Sequence, residues 1–262
     1  MTLEFVRYAD GADVLRHTEP YLLRKEAENS LTLGVAALSL PSGADNLWAS
    51  VSDDGQIVGT AFDTPPYKTV VTAASDEVID LIAAEIHGAG RSPTGILGPS
   101  ASSLRFAETW SRLSGETFLP GLNQRIYRID RVMPPASASG DLRLAQVDDV
   151  PLLAGWFESF SEETGTLRPQ PGLEVARAGI DAGQIYVWDN GGPVSMAVWS
   201  RPTRNGVSIS AVYTPGNERA RGYASACVAA LSQRLLDEGK KFCCLYTDLS
   251  NRTSNDIYMS IG

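Results

Sequence analysis

The sequence has few cysteines, and their spacing suits neither a disulfide framework nor a metal site. Only Cys227, Cys243 and Cys244 occur, and two of them are adjacent. We therefore expect buried thiols in a reducing cytoplasm, and no metal. No apolar stretch of about eighteen residues occurs, so we expect no membrane-spanning segment and no membrane partner. The first residues lack a basic region followed by an apolar run, so we expect no secretory signal.

An excess of positive charge is also missing. The chain has 22 Lys and Arg against 31 Asp and Glu, which gives a formal net charge of -9. Because phosphate backbones require a basic face, this balance argues against nucleic acid as a partner. The charge is uneven: residues 1–205 carry 16 basic against 26 acidic residues, whereas residues 206–262 carry 6 against 5. A polyanionic ligand would therefore meet less repulsion at the C-terminal end.

Two well-known phosphate-binding loops are absent from the sequence. No glycine-rich loop ends in Gly-Lys-Ser/Thr, and no Gly-x-Gly-x-x-Gly follows a predicted strand. Nucleoside triphosphatases and dinucleotide dehydrogenases are therefore disfavoured.

The chain is long enough for two domains, with 43% hydrophobic and 20% charged residues. The segment 131–140, Arg-Val-Met-Pro-Pro-Ala-Ser-Ala-Ser-Gly, contains two prolines and no hydrophobic periodicity, so we interpret it as a linker. It separates a predicted domain 1–130, which includes a strand at Asn123–Ile129, from a second domain 141–262. A similar order of helices, hairpin, strand, helix, strand and helix on both sides predicts an α/β (α+β) structural tandem.

A predicted strand, a short polar loop and a helix that begins at a glycine follow one another in the C-terminal part. Gly222 has no Cβ and would let a pyrophosphate approach the main chain at the helix start. Arg219 and Arg221 would add charge-assisted hydrogen bonds, and the small Ala224 and Ser225 keep the mouth of the loop open. The alternative is an ordinary strand-to-helix turn with two solvated arginines.

Two motifs in this region resemble those of the GNAT superfamily of acetyl-CoA-dependent N-acetyltransferases. The sequence Arg-Ala-Arg-Gly-Tyr-Ala at 219–224 looks like the family's pyrophosphate loop, Gln/Arg-x-x-Gly-x-Gly/Ala, preceded by Thr-Pro. Further along, 245–262 looks like the second signature, a strand followed by Asn-x-x-Ser-Asn-x-x-Tyr-x-x-x-Gly. The resemblance extends from about Asp141 to Gly262, where relatives continue with an aromatic residue and a final strand.

The resemblance implies tandem GNAT-like units, each with a mixed, mostly antiparallel sheet flanked by helices. Residues 1–130 resemble the degenerate N-terminal half of bacterial two-domain members. Their segment 64–70, Thr-Pro-Pro-Tyr-Lys-Thr-Val, lacks the glycine and helix start of a phosphate loop, so only the second unit should hold CoA. In that unit two parallel strands, Val207–Tyr213 and Phe242–Tyr246, should splay apart around the thioester.

The resemblance also assigns residues to the cofactor. Asn251 matches an asparagine that contacts the pantetheine arm or its phosphates, and it is also a candidate helix cap. Ala220 stands where relatives often have glycine, which is tolerable if its torsion angles are helical. The main chain implied to bind acetyl-CoA comprises Val212, Tyr213, Thr214, Arg219, Ala220, Arg221, Gly222, Tyr223, Ala224 and Ser225.

The implied reaction is direct attack of a primary amine of an unidentified acceptor on acetyl-CoA, by a monomer or homodimer. Tyr258 matches the tyrosine that often protonates the departing thiolate, and the alternative is a core tyrosine. The general base is open: Glu162, Glu163 and Asp248 are acidic candidates, and a base reached through water is equally possible. A second hypothesis is a non-catalytic acyl-CoA-binding or sensing module.

Overall fold

The computed structural model describes residues 2–38, 45–135, 138–167 and 169–262. They form two compact units, Met1–Gly121 and Leu122–Gly262. In each unit helices pack on one mixed sheet, as layered α/β domains require to bury the apolar face of each element. The predicted α/β fold class is confirmed.

The first unit contains a sheet in the order β1-β2-β3-β4-β5, antiparallel except for the parallel pair β4 and β5. The predicted hairpin is confirmed, with Asp54 and Gly55 at positive φ in its turn. The elements are β1 (Leu3–Tyr8), α1 (Gly11–Leu22), α2 (Ser30–Ala36), β2 (Leu47–Asp53), β3 (Gln56–Asp63), β4 (Thr69–Val71), α3 (Asp76–Gly88), β5 (Ile96–Leu97) and α4 (Ser100–Ser114).

The core of the first unit forms where α3 packs on this sheet. Ile79, Ile82 and Ile86 recur at helical spacing and are fully buried against strand residues such as Val51. Burial of each such side chain contributes about 1.5–3 kcal/mol. Hydrophobic periodicity therefore fixes which face of α3 meets the sheet.

The second unit contains a sheet in the order β6-β11-β10-β9-β8-β7, in which only β10 and β11 are parallel among the described pairs. Its elements are β6 (Gln124–Ile129), β7 (Asp141–Leu144), α5 (Val150–Thr164), α6 (Gly172–Asp181), β8 (Ile185–Asp189), β9 (Pro193–Ser200), β10 (Gly206–Tyr213), α7 (Tyr223–Asp237), β11 (Phe242–Asp248) and α8 (Arg252–Ile261).

The strand that the sequence assigned to the first half lies in the second sheet. β6 pairs antiparallel with β11 over its full length, from Gln124 opposite Asp248 to Ile129 opposite Cys243. The boundary of the compact units therefore lies at Gly121, upstream of the proline-rich segment. That segment is also tied to the second unit, since the Met133 N–H donates to the Ile261 carbonyl at 2.8 Å. Strand pairing, which composition does not report, accounts for the difference.

The two units repeat one order of elements. The series β1-α1-α2-β2-β3-β4-α3-β5-α4 corresponds step by step to β7-α5-α6-β8-β9-β10-α7-β11-α8. In both sheets the parallel pair lies at the same place in this order. The correspondence identifies β4 and α3 as the counterparts of β10 and α7.

None of the helices in the described ranges is long and apolar enough to cross a membrane.

Candidate functional site

The two parallel strands of the second sheet stop pairing with each other partway along their length. β10 and β11 are paired from Gly206 only as far as Ser208, opposite Cys244, although the strands continue to Tyr213 and Asp248. Main-chain groups beyond Ser208 therefore face a gap instead of a neighbouring strand. The predicted splay of these strands is confirmed.

A β-bulge bends β10 at the same place. The register with β9 shifts between Ser210 and Tyr213, and Ala211 has a φ of 45°. Because a bulge leaves an extra residue outside the ladder, neither Ala211 nor Val212 has a Cα partner on β9, whereas Tyr213 pairs with Met196. Of the donors predicted on this strand, Val212 is the one that lies in the bulge.

Helix α7 begins directly beyond this strand, at a glycine. Gly222 has a φ of 81° and, having no side chain, cannot cap the helix. The first main-chain bond of the helix runs from the Ala226 N–H to the Gly222 carbonyl at 2.9 Å. The N–H groups of Tyr223, Ala224 and Ser225 thus have no partner within the helix and lie at its positive end. This is the geometry of an anion site.

The described residues leave the space in front of Gly222 open. A Cβ added there would have the Ala138 Cβ, at 3.8 Å, as its nearest described neighbour. A ligand can therefore approach the main chain of the loop closely, as the sequence predicted for a pyrophosphate.

The two arginines of the loop are already paired with acidic residues. Arg219 Nε donates to the Thr214 carbonyl at 2.9 Å, and its Nη2 donates to Glu163 Oε2 at 2.7 Å. Arg221 Nη1 donates to Glu218 Oε2 at 3.0 Å. The Arg219 and Glu163 side chains are each 49% exposed, so their pair is worth about 0–1 kcal/mol and can be exchanged for another anion at little cost.

The sequence predicts that alanine at position 220 is tolerable if its torsion angles are helical. The backbone at Ala220 is not helical. Its φ is 61°, in the left-handed region. The turn from the short 3₁₀ segment Gly216–Glu218 into α7 needs two left-handed residues, Ala220 and Gly222. An alanine in this conformation is strained by about 1–2 kcal/mol.

We expect Ala220→Gly to stabilise the protein by about 0.5–1 kcal/mol, because relief of the left-handed strain exceeds the entropy that glycine adds to the unfolded chain. Urea unfolding at neutral pH measures the change. Ala224→Gly is the matched control: Ala224 lies in the first turn of α7, where glycine should destabilise by up to about 1 kcal/mol. A loss of stability in both variants would contradict the strain at Ala220.

Tyr258 lines a cavity beside the parted strands, together with Ile209, Cys244 and Leu245. It is 8% exposed, and its ring lies 5.9 Å from that of Tyr127. Burial raises the pKa of Tyr258 to about 12, against a smaller opposing effect of a hydrogen bond with Ser254. The hydroxyl is therefore protonated at neutral pH, as a proton donor must be.

Asn251 and Asn255 fix the start of α8. Asn251 Oδ1 accepts from the Ser254 N–H at 3.0 Å, so the predicted cofactor residue caps the helix. Asn255, to which the sequence gave no role, donates to the Asp248 carbonyl at 2.8 Å and accepts from the Tyr127 hydroxyl at 3.0 Å. It joins β11, α8 and β6. Asn255 belongs to the Ser-Asn pair of the second motif, so that motif could have indicated its role.

Two of the acidic candidates for the general base have structural partners. Glu163 binds Arg219, as described above, and Asp248 Oδ1 accepts from the Ser250 N–H at 2.8 Å. Glu162 is exposed on α5. The assignment of a base, directly or through water, stays a prediction.

Alkaline pH should destabilise the protein through the buried acids. Burial raises the pKa of Tyr258 from 10.0 and that of Cys227 from 9.0, each to about 12. The folded state holds these protons more tightly than the unfolded state does. Their contribution to the free energy of unfolding is therefore fully present below about pH 9 and is lost as the pH rises toward 12. Over this pH range, we expect the free energy of unfolding to fall by about 2–3 kcal/mol less in Tyr258→Phe than in the wild type. Urea unfolding at stepped pH measures the difference. Parallel losses would contradict a buried, protonated Tyr258.

Residues 189–262 match the family model described as FR47-like protein. No curated protein matches the sequence. Among solved structures, a GNAT-family acetyltransferase from Colwellia psychrerythraea has 12% identity and a TM-score of 0.55, covering 99% of this chain and 94% of that one. A tandem GNAT protein from the clavulanic acid biosynthesis pathway has 11% identity, a TM-score of 0.54 and the same coverage.

A GCN5-related N-acetyltransferase from Sphaerobacter thermophilus has 16% identity and a TM-score of 0.56, covering 95% of this chain and 88% of that one. These likenesses extend over both units. The chain therefore has the GNAT fold, arranged as a tandem of two units. The resemblance to the GNAT superfamily that the two motifs predicted is confirmed.

Proposed function

We propose that the chain is an acetyl-CoA-dependent N-acetyltransferase whose C-terminal unit transfers an acetyl group to a primary amine by direct attack. The observation that carries this proposal is the gap between β10 and β11 beyond Ser208, which opens beside the uncapped start of α7 at Gly222. The gap suits an extended thioester arm, and the helix start suits its pyrophosphate.

The residues at the site fit this cosubstrate. Three main-chain N–H groups at the positive end of α7 offer hydrogen bonds to a pyrophosphate, and the open space before Gly222 admits it. Arg219 can exchange Glu163 for a phosphate because their pair is exposed. We assign the predicted main-chain contacts of residues 212–214 and 219–225 to acetyl-CoA on these grounds.

Bound there, acetyl-CoA would supply an activated acetyl thioester. The main chain at Val212, in the bulge of β10, is the proposed donor to the acetyl carbonyl, where negative charge develops during attack. Tyr258, protonated and beside the gap, is the proposed proton donor to the thiolate. Much of the remaining rate would come from holding the two substrates together.

Among its described residues, the first unit has no counterpart of this anion site. Where β10 leads into α7, the first unit connects β4 to α3 through residues 72–75, and Asp76 and Glu77 occupy the first turn of the helix. Hydrogen bonds with Ser75 and with its own main chain lower the pKa of Glu77, so its carboxylate stays charged. Two carboxylates at a helix start exclude phosphate. The segment 64–70, which the sequence compared with a phosphate loop, instead joins β3 to β4 and includes the start of β4.

The proposal predicts one CoA per chain and consumption of acetyl-CoA when an amine is present. Calorimetry on the full chain gives the stoichiometry, and thiol release across a panel of primary amines gives the activity. Two binding events would contradict the assignment to the C-terminal unit. Binding of CoA with no transfer to any amine would favour the non-catalytic acyl-CoA-binding alternative.

A further inference from the structure

A strip of polar side chains lies on one face of the second sheet, where β10 and β11 part. Ser200 and Ser208 are opposite each other, and Ser208 is opposite Cys244, so the three form one row across β9, β10 and β11. Ser210 follows on the same face, with its Oγ 3.3 Å from Ser200 Oγ. The other face carries Ile209 in the core under α7.

Arg201 directly follows β9 at the edge of this strip. Its φ is 46°, and its Nε is buried without a hydrogen-bond partner in the described chain. Burial lowers the pKa of Arg201, while Cys244 and Tyr246 are close enough to oppose this shift. Arg201 thus places a buried donor without a described partner directly after Ser200, the first residue of this row.

No carboxylate of the described residues forms an ion pair with Arg201. Arg128, opposite Cys244 in the next strand, instead stacks on the Phe242 ring at 4.6 Å and lies 3.9 Å from Asp130. A desolvated guanidinium with an unmet donor is costly, and an anion that accepts from it recovers that cost. Arg201 is therefore a positive charge at this strip that no described carboxylate pairs with.

We propose that Arg201 binds a carboxylate on the acceptor, so that the amine substrate is a small amino carboxylate. This proposal rests on the proposed function for the placement of the acetyl group in the adjacent gap. One guanidinium matches the single charge and planar geometry of a carboxylate. The Ser200 and Ser210 hydroxyls, on the same strip, would hold polar groups between the carboxylate and the amine.

The test compares matched ligands and matched variants of the full chain. The ligands are α-amino acids against their amides, and phosphoethanolamine against ethanolamine. The variants are Arg201→Met, Arg201→Gln and Arg128→Met, which removes the same charge from the same sheet. Calorimetry in the presence of CoA measures binding, thermal melts verify folding, and thiol release from acetyl-CoA measures transfer.

We expect at least one amino acid to bind about tenfold or more tightly than its amide. Both Arg201 variants should abolish this preference without weakening the amide, and Arg128→Met should preserve it. Equal binding of acids and amides, equal loss in the Arg128 variant, or a preference confined to phosphoethanolamine would overturn the proposal. An Arg201-dependent preference without acetyl transfer would support the carboxylate site and reject the proposed function; transfer without the preference would do the reverse.

Discussion

Gly222→Val should abolish CoA binding, with a loss of affinity of about 100-fold or more, while the protein stays folded. A side chain at this position would fill the space through which a phosphate reaches the main chain of α7. Loss of one or two hydrogen bonds to a charged group, each worth about 1.5–3 kcal/mol, accounts for this magnitude. Calorimetry with CoA measures the affinity.

A substitution at a second glycine, at the other end of α7, separates the effect of backbone strain from that of lost ligand contact. Gly239, just past the end of α7, has a φ of 100° and no described atom near the position of an added Cβ. Gly239→Val should therefore cost a similar 1–2 kcal/mol of stability and leave CoA affinity unchanged. If both variants bind CoA as the wild type does, the pyrophosphate does not lie at Gly222.

Tyr258→Phe should lower turnover by about 10²–10⁴-fold and leave acetyl-CoA affinity nearly unchanged. The substitution removes the hydroxyl and keeps the ring, which packs in the core with Leu245 and Ile261. The change therefore reports on proton donation rather than on packing. Steady-state turnover with one identified acceptor, paired with CoA affinity, is the measurement.

Tyr186 provides the control for this variant. It is a buried tyrosine of the same cluster, with its ring under Arg234, and it lies on β8, two strands from β10 and so away from the gap. Tyr186→Phe should keep full turnover. A loss of less than about threefold in Tyr258→Phe, with binding intact, would make Tyr258 a structural residue and leave positioning as the source of the rate.

Hydrophobic periodicity and turn chemistry predicted most of the fold. Cys227, Leu231 and Leu235 recur at helical spacing in the sequence, which predicts α7 and its buried face. Asp-Asp-Gly at 53–55 is a strong turn signal, which predicts the hairpin of β2 and β3. Strand β1 was missed because its alternation is short and only partly buried. The pairing of β6 could not be predicted, since local sequence does not encode which distant strand is its neighbour.

The site was predictable where it depends on local geometry. A glycine that opens a helix after a strand predicts an anion site, and the structure has that geometry at Gly222. The ionic partner of Arg219, and the lack of a described partner for the Nε of Arg201, depend on residues that are distant in sequence, so no local pattern indicates them. The left-handed torsion of Ala220 breaks a local rule, which is common near functional loops.

The placement of β6 also constrains how the chain folds. Tyr127 and Asn255 are 128 positions apart, yet they share a hydrogen bond that joins the edge strand to the last helix. During synthesis β6 emerges before every other strand of its own sheet, and its partner β11 emerges near the end. Closing so long a loop is entropically costly and raises the contact order, so we infer that this edge of the sheet forms late in folding.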